Sequence, residues 1–276
     1  MAVLGIGKET YFFVNGLKTL HPIQLREGVS LLPAHCSAGI EEIIQNIRGE
    51  VELGITTLLL NKTASQLKII AEGPKELAIR AWNSQWDILL LNAIFCTEAI
   101  ALLQSTSPAE NFPDKVPLNV TACYIHLPHY TYHIKKKDIE WLSKYYSKAY
   151  SLLDNDAFST AVHSLATYHW HSMPRVQLSI LWAGIESLFD IHSEISFRLS
   201  LSIAKFLEPS NSAKSIVVYK KVKNLYNYRS KVVHGAPSQP SRETVLATIG
   251  LLNLLIKKCI TTGALPPKTE KLLFNN

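Results

Sequence analysis

Hydrophobic and polar positions change rhythm near the middle of the chain. Between Thr10 and about Ile70 the apolar runs are short and strand-like. Tyr11-Phe12-Phe13-Val14, then Asn15-Gly16, then Leu17 to Leu20 predicts a hairpin, because Asn-Gly supplies the positive φ angles of a two-residue turn. Ile55–Leu60 and Gln66–Ala71 predict two further strands around Asn61-Lys62-Thr63, and Ser37–Ile47 predicts a short helix. From Pro74, which suits a first helical position, Leu77, Trp82, Trp86, Leu89, Leu90 and Ala93 recur at helical spacing. A proline-bearing stretch from Ser107 to Pro117 then leads to a strand over Asn119–Ile125. Residues 1–134 therefore read as a mixed α/β domain.

From Lys135 onward the pattern is helical. It predicts helices over Lys137–Leu153, Asp156–His171, Pro174–His192, Glu194–Leu207, Ala213–His234 and Arg242–Thr262. Asp154-Asn155, Ser172-Met173-Pro174 and Glu208-Pro209-Ser210-Asn211 separate them, and Gly235-Ala236-Pro237 and Gly263 mark two helix ends. The predicted class is α+β, an N-terminal mixed α/β domain over 1–134 followed by an all-helical bundle over 135–276.

Composition sharpens this picture. Of 276 residues, 47% are hydrophobic and only 18% charged, which excludes a disordered or low-complexity chain. Residues 1–134 carry 9 basic and 12 acidic groups, while 135–276 carry 19 and 10, so the whole basic excess lies in the helical half. Such a module suits an anionic partner, nucleic acid ahead of membrane, or else carries a solvated basic face. Cys36, Cys96, Cys123 and Cys259 form no Cys-x-x-Cys pair, which points to a reducing compartment. No charged-then-apolar leader opens the chain, and the apolar stretch Ile88–Leu103 falls short of a span of about 20 residues. A cytoplasmic protein with no membrane partner is expected.

Candidate chemistry gathers at one helix end. Val218, Val222, Leu225 and Val232 form a stripe at intervals of four, three and seven, and Arg229 takes the missing place in it. A buried, unpaired guanidinium costs several kcal/mol, so it needs a partner or a function. Five residues later His234 precedes Gly235, where the carbonyl end of a helix favours imidazolium. Glu186 falls on the apolar face of Leu178, Trp182, Ile185 and Phe189 and is a natural partner for Arg229. A core ion pair and a capping histidine would satisfy the same pattern. Five steps of about 100° set Arg229 and His234 roughly 140° apart, so a joint site needs an unwound helix end or a second subunit.

Trp182-Ala-Gly-Ile-Glu186-Ser-Leu-Phe189, Ile195-Ser-Phe-Arg198-Leu-Ser-Leu and Leu225-Tyr-Asn-Tyr-Arg229-Ser-Lys-Val-Val-His234-Gly235 resemble the HEPN superfamily, nearest to its Apea-like group of prokaryotic, often defence-associated proteins. The resemblance covers roughly 140–262. It implies a HEPN-type helical bundle, a homodimer through that bundle, and metal-independent endoribonuclease activity with no cofactor. Two copies of the Arg-x4-His motif would form one composite site. His234 would be the general acid/base, Arg229 would stabilise the scissile phosphate, and the product would be a 2′,3′-cyclic phosphate. Glu186 would orient Arg229. Ser230 stands where many members carry Asn, Asp or His, and it offers neither their amide nor their charge. The N-terminal domain would act as sensor or regulator, with an antitoxin or another defence protein as a partner. Some members are inactive and bind RNA, a nucleotide or a protein instead.

Lys220, Lys221, Lys223 and Lys231 flank the motif with Tyr219, Tyr226 and Tyr228 among them, and Tyr228 and the lysines are the candidate RNA contacts. His126, His129 and His133, or His163, His169 and His171, could in principle supply a zinc site for a hydrolase. Neither set has spacing that fixes a ligand geometry, so no metal is expected.

Overall fold

A computed structural model of the chain describes residues 4–44, 50–112, 118–120, 128–191, 193–233 and 239–268. It divides into two compact units, residues 1–92 with 97–147, and residues 93–96 with 148–276. The α+β class holds: a sheet occupies the N-terminal unit and helices the C-terminal one.

The first unit contains β1 (Glu9–Asn15), β2 (Leu17–Lys18), β3 (Ile23–Arg26), β4 (Val29–Pro33), α1 (Ile40–Ile44), α2 (Glu50–Asn61), β5 (Thr63–Ile70), α3 (Pro74–Asn83), most of α4 (Gln85–Phe95), β6 (Ile100–Ser105), β7 (Leu118–Val120) and β8 (Tyr132–His133). It also takes α5 (Lys136–Ser151) as far as Ser147, beyond the Ile134/Lys135 division drawn from the sequence. Six strands run β3-β4-β5-β1-β6-β7, every neighbour antiparallel. β1 lies inside the sheet and is buried on both faces, which is why Tyr11 to Val14 read as one apolar run. Tyr11 and Phe13 pack with Leu59 and Leu60 of α2 and with Ile43, Leu103 and Phe112. A buried ion pair ties three elements: Arg26 of β3 reaches Asp87 of α4 at 2.8 Å, and Tyr146 of α5 donates to the same carboxylate at 2.7 Å.

Two predictions from the sequence fail here. The Asn-Gly hairpin does not form, because β1 pairs with β5 and β6 while β2 pairs in parallel with β8. Gly16 has φ +85°, but Asn15 has no positive φ, and a type I′ turn needs both. Asn15 instead donates its side-chain amide to the Leu59 carbonyl at 2.7 Å, turning the chain out of the sheet. Ile55–Leu60 is not a strand but part of α2, whose buried positions Thr56, Leu59 and Leu60 follow helical spacing. A short apolar run cannot decide between the two. The helix predicted from Pro74 exists but breaks at Ser84 into α3 and α4, leaving Trp82 about half exposed. Of the strand predicted over Asn119–Ile125, Asn119 and Val120 lie in β7, and residues 121–125 lie outside the described residues.

The second unit holds the last turn of α4, the end of α5, then α6 (Asp156–Thr167), α7 (Pro174–Ser187), α8 (Ile195–Leu207), α9 (Ser212–Val233) and α10 (Arg242–Thr262). The sequence places these with ends displaced by a few residues. Asn155 caps α6 by accepting from the Ala157 and Phe158 amides, and Ser241 caps α10 through the Thr244 amide. Gly263, at φ +72°, closes α10 with its amide on the Cys259 carbonyl at 2.8 Å. α7 ends at Ser187, short of the predicted His192, because the chain turns through Asp190 at φ +45°. α7 packs on α6, α9 and α10, and α8 packs on α9 and α10. Gly184 allows the α6–α7 contact, since a Cβ there would stand 2.7 Å from the Ser164 Cβ. α10 is long and apolar enough to cross a membrane by length and composition, yet nine of its residues, from Val245 to Ile260, are buried inside this unit.

Candidate functional site

The site grows out of the contact between α7 and α9. Trp182 and Ile185 are fully buried on α7, and on α9 the buried apolar side chains are Val222, Val232 and Tyr226. Val218 and Leu225 of the predicted stripe are only half-buried, and Tyr226 shares their work. Its ring meets the Trp182 indole edge-on at 5.2 Å. One helical turn further, Arg229 lays its guanidinium carbon 5.6 Å from the centre of the Tyr226 ring. The structure thus brings Arg229 and Glu186 together, the Nη2 to Oε1 distance being 3.3 Å.

This pair is neither a sealed core bridge nor a surface one. The Arg229 side chain is 20% exposed and that of Glu186 is 32% exposed. The Nε of Arg229, Oε1 of Glu186 and Nε1 of Trp182 are buried and have no hydrogen-bond partner among the described residues. The 3.3 Å approach is therefore a charge contact without hydrogen-bond alignment, which leaves donors of the guanidinium uncommitted. Burial pushes the Glu186 carboxyl above the usual carboxylate value, and the charge of Arg229 pulls it partly back. Burial likewise raises the Tyr226 hydroxyl.

The remaining candidates are not gathered around Arg229. Ser230, the next residue on α9, is half-buried. Lys220, Lys221 and Lys231 are exposed, while Lys223 and Tyr228 are half-buried. Steps of about 100° place Lys220 and Lys231 on the far side of α9 from Arg229. The Lys223 ammonium sits 5.5 Å from the Tyr219 ring centre, so this cation lies against an aromatic face. His234 and Gly235 lie outside the described residues. Sequence reasoning placed Tyr226 among possible stacking residues but missed its place beneath Arg229. The spacing of three between them was the available signal.

Several of the described histidines in the two groups have other partners. His126 lies outside the described residues, His129 contacts Glu98 at 2.7 Å, and His163, His169 and Trp170 form an edge-to-face aromatic group. Among the described residues no three His, Cys, Asp or Glu side chains gather as metal ligands would. Compared with known proteins, the chain matches no protein family, no curated protein and no solved structure.

Proposed function

We propose that this protein is a metal-independent endoribonuclease of HEPN type, working as a cytoplasmic homodimer in prokaryotic antiviral defence or as a toxin. The observation that carries the reading is Arg229: a partly exposed guanidinium in a core stripe, held by Glu186 and Tyr226, with uncommitted donors, five residues before His234. A planar guanidinium is suited to two phosphate oxygens at once. In the proposed reaction His234 takes the proton of the ribose 2′-hydroxyl, whose oxygen attacks the adjacent phosphorus. The P–O5′ bond breaks, and the leaving oxygen receives a proton from the second histidine of the composite site. The products are a 2′,3′-cyclic phosphate and a 5′-hydroxyl. Arg229 stabilises the added charge on the phosphorane oxygens. On an uninterrupted helix the spacing of five would set Arg229 and His234 roughly 140° apart, which favours a site shared by two copies.

Incubating labelled tRNA and a generic single-stranded RNA with the wild type, Arg229→Ala and His234→Ala in EDTA tests this. Cleavage by the wild type with cyclic phosphate ends, reduced about 10²–10³-fold or more in each variant, is expected. Ser230 and the scatter of the lysines favour a second reading, an inactive module of the same kind that binds RNA, a nucleotide or a protein. Binding by the wild type with no turnover at any protein concentration would establish it.

A further inference from the structure

The N-terminal unit contains a cavity of about 390 Å³, within the size range of small-ligand sites. It opens where the chain leaves the sheet at Asn15-Gly16. Lys18, Lys62, His35 and His133 line it, with no carboxylate and no Phe, Tyr or Trp among the described lining residues. This is notable in a segment where acidic groups outnumber basic ones, because two of its nine cations line one cavity.

The fold fixes these groups. Lys18 and His133 are register partners in the parallel pair β2–β8, so they share one face of that ribbon, while Leu17 is buried on the other. The Tyr132 amide donates to the Gly16 carbonyl at 2.9 Å and the Ile134 amide to the Lys18 carbonyl at 2.8 Å, which clamps the ribbon. Pro128 presses on Gly16 so closely that a Cβ there would stand 2.6 Å from the proline Cγ. Lys62 comes from the turn between α2 and β5, which Thr63 anchors by donating its hydroxyl to the Leu59 carbonyl at 3.0 Å. Beside His35, the Glu110 carboxylate is engaged by the His35 amide at 3.0 Å and by Gln66 at 2.9 Å. Among the described residues neither Lys18 nor Lys62 has an ion-pair partner.

We infer that this cavity binds a small phosphorylated molecule, its phosphoryl oxygens held by Lys18 and Lys62 with the two imidazoles and the Asn61 and Thr131 side chains as further donors. Two lysines held on one cavity repel one another, and a multiply charged anion between them removes that cost. Small walls at Ala34 and Ala64 leave room for a phosphoryl group, and no Phe, Tyr or Trp among the described lining residues offers a broad face for base stacking. The inference is independent of the nuclease reading, since its readout is binding to the N-terminal unit.

The test is calorimetric titration of the full chain with pyrophosphate and with inorganic phosphate, in chloride at matched ionic strength. Lys18→Gln and Lys62→Gln, both at exposed positions, are compared with Lys75→Gln, an exposed lysine of α3 outside the cavity. One pyrophosphate per chain is expected, weakened about tenfold by each cavity variant and unchanged by Lys75→Gln. No binding at millimolar pyrophosphate, or equal loss in all three variants, overturns the site. Displacement of bound pyrophosphate by a 5′-phosphorylated RNA oligonucleotide but not by its 5′-hydroxyl form would overturn the small-molecule assignment.

Discussion

At Glu186 two influences on one carboxyl oppose each other, and burial outweighs the attraction of Arg229 3.3 Å away. The folded chain therefore holds the Glu186 proton more tightly than the unfolded chain does. Unfolding free energy then falls as pH rises through the folded pKa, and the stabilisation is fully present only below the unfolded carboxylate value. Glu186→Gln removes this titration while keeping shape and one acceptor. The stability of the wild type relative to Glu186→Gln is expected to decline as pH rises from the ordinary carboxylate value of about 4, read from urea melts with matched slopes. A relative stability that rises over the same range would mean that Arg229 dominates and that the pair behaves as an ordinary salt bridge. The distinction bears on function, because a carboxyl that is costly to ionise competes weakly with a phosphate for the guanidinium.

Helix by helix, the C-terminal unit shows why its sequence is readable. Four of its boundaries rest on local devices: Asn155 and Ser241 accept N-terminal amides, Pro174 starts α7, and Gly263 takes a positive φ. Gly184 depends on tertiary contact instead. Gly184→Val is expected to cost about 1–3 kcal/mol by forcing α6 from α7, whereas Gly250→Ala, where a Cβ meets nothing within 4 Å, should stabilise α10 by about 0.5–1 kcal/mol. Melts of the two variants check this, and a Gly184→Val protein as stable as the wild type would show that the helices separate without cost. The N-terminal unit was less legible because its signals were tertiary. Asn15-Gly16 has hairpin chemistry, yet the Asn15 bond to Leu59 redirects the chain. Ile55–Leu60 has strand composition, but burial at Thr56, Leu59 and Leu60 makes it helix. Strand β6 lay hidden in the apolar stretch Ile88–Leu103, which Cys96, at φ +52°, and the Asn92 side chain on Thr97 and Ala99 divide between helix and strand.

For the whole molecule, the sequence located the Arg229–Glu186 pair because a charged residue in an apolar stripe is visible without coordinates. Helical spacing alone sets Tyr226 one turn before Arg229 and turns Lys220 and Lys231 to the opposite side, but only the structure shows the guanidinium lying 5.6 Å from the Tyr226 ring centre. A single chain carries one Arg229 and, five residues on, one His234, and an uninterrupted helix over both would not direct them at one point. The proposed nuclease therefore makes a demand on its assembly that a one-chain enzyme would not. Adding excess Arg229→Ala protein to a fixed amount of wild type, after time for subunit exchange, should lower total cleavage, because mixed dimers hold a site with only one guanidinium. The loss should deepen with the ratio of variant to wild type, and specific activity of the wild type alone should fall on dilution below the dimer dissociation constant. If each chain cleaves by itself, total activity follows the amount of wild type and ignores the variant. That outcome, with cleavage intact, would keep the chemistry of Arg229 and remove the shared site.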